Sequence, residues 1–204
     1  MVNEPNMKTL QRLMSFSDGV VAIAITILIL RIDLPTTLSA STVVPTIIQI
    51  LPQLELYFIS FIVIAYYWVE HHNIFVHAAY ANEPLIWINI VFLMILCILP
   101  LSTDLAGTYR SFLTLTIYFA NLSLSGILQA VMWFYALRCG QLENLNEAFI
   151  KMTSAKVLSV PVIFLLAIPV ARFNTSVAAH MWVLVAVVHF FYRKIFGYKG
   201  KVSL

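Results

Sequence analysis

The sequence predicts an all-α, polytopic integral membrane protein, and three observations carry that prediction. Of its 204 residues 61% are hydrophobic, only 10% are charged, and the apolar residues fall in runs about as long as a bilayer is thick. A soluble domain is roughly 45–50% apolar and about 25% charged. An excess of this order cannot be hidden in one core and has to face lipid. The runs are continuously apolar rather than alternating, which selects helices over a barrel. The lysines and arginines behind the net charge of +3 are scattered and not interleaved with aromatic residues, so no nucleic-acid partner is expected.

Proline and polar clusters divide the chain into six spans, near 10–33, 52–79, 84–107, 111–138, 153–172 and 177–197, which make a single transmembrane domain over 1–204. The first has Lys8 and Arg12 on its flank and an apolar run over 20–30. No small-residue cleavage site follows before Arg31 and Asp33, so it reads as a retained span rather than a signal peptide. Pro35 cannot continue that helix, while Pro52 and Pro84 suit the first turns of the second and third. Between them, polar residues from Thr36 to Thr42 give way to Ile47, Ile48, Ile50 and Leu51, a pattern that fits a short interfacial helix within 34–51.

Pro100, Pro161 and Pro169 lie inside spans and predict kinks. On the fourth span Thr114, Tyr118, Asn121, Ser125 and Gln129 recur at helical spacing beside Gly126, a polar seam for packing within or between subunits. The stretch 139–152 is the most polar of the chain and reads as an aqueous loop. With both termini inside, Lys8, Arg12, Arg138, Lys151, Lys156, Arg193, Lys194, Lys199 and Lys201 face the cytoplasm, against Arg31, Arg110 and Arg172 outside. That asymmetry predicts cytoplasmic termini.

Function is sought first in the polar residues that the membrane makes costly. Asp18 follows Arg12, Phe16 and Ser17 at the start of the first apolar run, and an intramembrane carboxylate usually faces a bundle interior with a partner. Arg12 is the nearest candidate; a helix start with Arg12 snorkelling to the headgroups explains the same residues. Further on, Ile23, Ile27 and Leu30 share one face with Thr26 beside it. Spacing alone leaves that stripe open between pore lining and ordinary packing.

The second span carries Trp68, Glu70, His71, His72, Phe75 and His77, without an HExxH arrangement or three histidines on one face. Hydrogen bonds to neighbouring helices, to Asn89 or Asp18, are the expected role. Cys97 and Cys139 match no metal or redox spacing and read as small core residues. No TVGYG filter, arginine-repeat voltage sensor, Walker motif or hydrolase motif is present, so neither an enzyme nor a cofactor is expected.

Arg12-x-x-x-Phe16-Ser17-Asp18-Gly19, followed at once by Val20-x-Ala22-Ile23-Ala24-Ile25-Thr26, resembles the signature of the endolysosomal potassium channel transmembrane protein 175 and its bacterial homologues. Trp68-x-x-His71-His72-x-x-Phe75 and the stretch from Asn89 to Ser102 add to the likeness, while the last three spans match only in hydropathy. One copy of the motif implies the six-span bacterial form, a homotetramer in a plasma membrane whose pore is lined by the first helices. The resemblance places the narrowest ring at Ile23, further apolar rings at Ile27 and Leu30, and potassium preference at Thr26. It makes Arg12, Phe16, Ser17, Asp18, Trp68, Asn89 and one of His71 and His72 a structural network. The implied function is a potassium-preferring cation channel gated by dewetting of an apolar ring, with sodium and protons as candidate further permeants. A proton-coupled transporter using Asp18 and the histidines as a relay is the alternative.

Overall fold

A helix that crosses lipid must satisfy every backbone group within itself, and the computed structural model, which describes residues 4–32 and 43–195, is built from such helices. In chain order they are α1 (Glu4–Leu30), α2 (Val43–Val76), α3 (Glu83–Leu96), α4 (Leu99–Tyr109), α5 (Phe112–Arg138), α6 (Glu147–Phe173), α7 (Thr175–Ala179) and α8 (Trp182–Ile195). α1, α2, the α3–α4 unit, α5 and α6 are each long and apolar enough to cross a bilayer. The expected last span falls on α7 and α8; the apolar part of α8, Trp182–Tyr192, is shorter than a full crossing.

Capping residues start the helices where the sequence offers them. Asn82 accepts from the Leu85 amide with Pro84 in the first turn of α3, and Ser111 and Thr114 form a reciprocal capping box on α5. Asn146 accepts from the Phe149 amide at 2.7 Å to begin α6, and Asn174 from the Val177 amide at 3.0 Å to begin α7.

Pro52 departs from expectation: it lies inside α2 rather than in its first turn. The apolar residues assigned to a separate interfacial helix, Ile47, Ile48, Ile50 and Leu51, lie in the opening turns of α2 instead, which run unbroken from Val43 through Pro52; positions 33–42 lie outside the described residues. Pro100 acts more strongly than a kink. Lacking an amide hydrogen, it leaves the Leu96 carbonyl without its helical donor, and the third span divides between Leu96 and Leu99 into α3 and α4. Ser102 tightens the restart by donating to the Leu99 carbonyl at 3.1 Å. Pro161 and Pro169 leave α6 continuous.

α5 is the central helix, packing against α3, α4, α2 and α6; α1 lies against α2, α3 and α4, and α7 and α8 hang from α6. The core between them buries Tyr67, Phe92, Phe119, Trp133 and Phe164. Phe119 stacks on Phe164 with 6.4 Å between centroids, joining α5 to α6. The polar seam of α5 serves the subunit's own interior. Tyr118 and Thr103 both meet the Ser60 hydroxyl, Gln129 donates to the Tyr67 carbonyl at 2.8 Å, and Asn121 reaches Ser102. At one end of the bundle the 77–82 and 139–146 connections are laced together, with Ala79 donating to Gln141 and Glu143 to His77, each at 2.8 Å. Cys97 and Cys139 are exposed rather than core residues. Cys97 lies at the α3–α4 break and Cys139 just past the end of α5.

Candidate functional site

The first helix sorts its residues by face. Leu10, Leu13, Ser17, Val21, Ala24 and Leu28 are buried at three- and four-residue spacing, which is the side α1 turns to its own subunit. Ile23 lies about 120° round the helix from the middle of that face and is 60% exposed; Leu30 is 77% and Phe16 56% exposed. Ile27, on the edge of the same stripe, is half-buried. The subunit thus leaves a mostly apolar strip along α1 without an internal partner.

Thr26 is also exposed, and its hydroxyl donates back to the Ala22 and Ile23 carbonyls, both at 2.9 Å. With its hydrogen turned to the main chain, the oxygen presents lone pairs outward. Ile25 points the other way, lining a recess with Val21, Phe61, Ala65 and Trp68.

Two polar links tie α1 down, and they start from consecutive residues. The buried Ser17 hydroxyl donates to the Leu13 carbonyl and accepts from Asn89 Nδ2, each at 2.9 Å. Asn89 Oδ1 in turn accepts from His71 Nε2 at 2.7 Å, and the His71 ring stacks on Phe92 at 5.7 Å and meets Phe75 at 4.6 Å. The second link is shorter: Trp68 Nε1 donates to Asp18 Oδ1 at 2.7 Å, and the indole stacks on His72 at 5.7 Å. The single expected network is therefore two separate links. His71 belongs to one through a hydrogen bond, and His72 supports the other through its ring.

Arg12 joins neither. Among the described residues it has no hydrogen bond or ion pair within the subunit, and it lines a shallow recess with Phe16, Ile86 and Ile90. The histidines of α2 do not converge: His77 bonds the Asn73 carbonyl at 2.8 Å and packs on Phe149. Among the described residues no three His, Cys, Asp or Glu side chains are grouped to hold a metal.

Sequence reasoning passed over one charged pair inside the membrane. Glu70, buried in α2, receives Lys156 Nζ of α6 at 2.8 Å. Lys156 is thus engaged within the bundle, and the inner excess of basic residues rests on the others. A span with both a glutamate and a tryptophan-histidine cluster was the available signal; its partner, 86 positions away, was not. At the opposite end, Glu55 is held by Arg110 at 2.6 Å and lies 3.3 Å from His180 Nε2.

Residues 12–100 match the family described as the endosomal/lysosomal potassium channel TMEM175. A potassium channel of Chryseobacterium sp. (strain P1-3) is 31% identical over 179 residues, covering 87% of this chain and 90% of that protein. A potassium channel of Streptomyces collinus is 30% identical over 136 residues, 64% of this chain and 66% of its own length. The fold is similar to the crystal structure of a lysosomal potassium-selective channel TMEM175 homologue from Chamaesiphon minutus. The TM-score is 0.76 at 22% identity, over 94% of this chain and 100% of that one.

Proposed function

Because the chain belongs to the TMEM175 family, we propose that it is a potassium channel of the plasma membrane, assembled as a homotetramer with α1 of each subunit around the axis. One observation carries the reading: Ile23 and Leu30 stand exposed on the side of α1 opposite its own subunit. Symmetric repetition of that strip encloses a path whose walls are apolar at Ile23, Ile27 and Leu30.

In this reading the Ile23 ring is the gate. A ring narrower than a hydrated ion empties of water, and an ion would have to enter without its shell, so conduction stops without a plug. Widening the ring restores water and flux, and no carbonyl filter is required. Thr26, three residues on, supplies outward hydroxyl oxygens that replace part of the shell of a weakly hydrated cation and so favour potassium over sodium. The two links at Ser17 and Asp18 hold α1 in register, and neither carries the ion. The inner flank bearing Lys8 and Arg12 faces the cytoplasm.

The test is ion flux from liposomes containing the purified protein under opposed potassium and sodium gradients. Potassium flux that persists without a pH gradient supports the channel. Flux strictly coupled to a proton gradient transfers the assignment to a transporter, with Asp18 as the proton carrier.

A further inference from the structure

We propose that the groove between α5 and α6 binds an anionic glycerophospholipid, an acyl chain lying along the helices and the phosphate on Arg138. The groove, about 700 Å³, is lined by Ile127, Val131, Phe134, Leu158 and Leu165, with Arg138 at one end. Its origin lies in the sequence. At Gly126 the two helices approach so closely that an added Cβ would stand 3.0 Å from Pro161 Cδ. Beyond that pinch the α5 side of the trough is floored by the small, buried Ala130, while the larger side chains stand on its rims.

Length and charge identify the occupant. Along α5 the lining runs from Ile127 to Arg138, a rise of about 16.5 Å. One leaflet's share of the hydrocarbon core is about 15 Å, so the apolar trough spans a leaflet and its cation stands at headgroup depth. The other cations at this end of α5 and α6 are taken: Lys151 by Glu147 at 2.6 Å and Lys156 by Glu70 at 2.8 Å. Arg138, the last residue of α5, is exposed and has no carboxylate partner among the described residues. A guanidinium matches a phosphate by geometry and charge, and a zwitterionic lipid would bring its own cation into competition. The groove is made by α5 and α6 alone, whereas α1 packs on α2, α3 and α4, so occupancy does not obstruct the α1 strip. The site requires only that the chain crosses a bilayer, whichever ion it passes.

The experiment is native mass spectrometry of the intact protein equilibrated in micelles holding equal amounts of phosphatidylglycerol and phosphatidylcholine. The wild type should retain phosphatidylglycerol about fivefold over phosphatidylcholine, the preference one cation near a headgroup confers. Arg138→Gln should abolish the preference and Arg138→Lys keep most of it. Val131→Trp, at an exposed position, should fill the trough and reduce retention of both lipids. Equal retention by the wild type, an unchanged preference in Arg138→Gln, or unchanged retention in Val131→Trp would overturn the proposal. So would a groove that carries no lipid because a second copy of the chain covers it. Ion flux plays no part in the readout, so failure here leaves the channel assignment standing, and the reverse.

Discussion

Ile23 and Ile25 are two residues apart, chemically identical and opposite in surroundings, which makes them the sharpest pair to compare. Ile23→Asn places an amide on the exposed strip and should hydrate the ring, raising potassium flux from liposomes with little loss of stability. Ile25→Asn instead pushes an amide into the recess against Phe61 and Ala65, costing about 1–3 kcal/mol of stability without a gain in flux. Unaltered flux in a folded Ile23→Asn tetramer would remove the ring from the mechanism. Thr26→Val keeps shape but deletes the outward oxygen, so the reversal potential in mixed potassium and sodium should move toward nonselectivity. The two links differ in cost as well. Asp18 is exposed on its remaining side, so Asp18→Asn trades a charge-assisted bond for a neutral one at about 1 kcal/mol. Asn89→Ala leaves buried Ser17 and His71 each short of a partner and should cost about 2–4 kcal/mol, read as the larger drop in thermal unfolding temperature. Ser17 and Asp18 could be singled out because they stand in one contiguous motif, whereas Arg12 of the same motif makes neither link. The division between His71 and His72 was not, since adjacent residues point about 100° apart and only the neighbouring helices decide which ring meets which partner.

Helix by helix, what the chain shows locally was readable and what depends on distant partners was not. Pro84 behind Asn82 announces the start of α3 in four residues, and the polar seam of α5 is visible from its spacing alone. Pro52 carries the same local chemistry as Pro84, yet the apolar residues before it continue the helix, so position in the finished bundle separates the two. The Glu70–Lys156 pair joins α2 to α6 across 86 positions, beyond any local pattern. Lys156→Met should leave a buried carboxylate unpaired and destabilise the protein by about 3–5 kcal/mol. The double variant Glu70→Gln with Lys156→Met should recover much of that loss, since an ion pair inside a bundle is weak evidence of net stabilisation. Thermal unfolding in detergent compares them, and equal stability of single and double variants would mean the two charges do not act as a pair.

For the whole molecule, the architecture follows from lipid as solvent: apolar spans, a polar seam on α5 turned to the interior, and laced connections at one end. Where α1 is fastened has a mechanical consequence. Ser17 is held by α3 through Asn89 and Asp18 by α2 through Trp68, so the helix is stayed from two directions at a single height, like a mast. From that height Ile23 stands about 7.5 Å away and Leu30 about 18 Å. Leaning the mast swings Leu30 more than twice as far as Ile23, so a lean widens the Leu30 end of the strip first. Opening at the proposed Ile23 ring ahead of Leu30 calls instead for a turn of the helix about its own axis, and a turn slackens both stays together. Trp68→Phe deletes the indole N–H that holds Asp18 while keeping an aromatic ring beside His72, so it should let α1 turn more freely and raise single-channel open probability in planar bilayers. An open probability unchanged from wild type would mean that α1 leans instead, and that the channel's gate lies at its outer rim near Leu30.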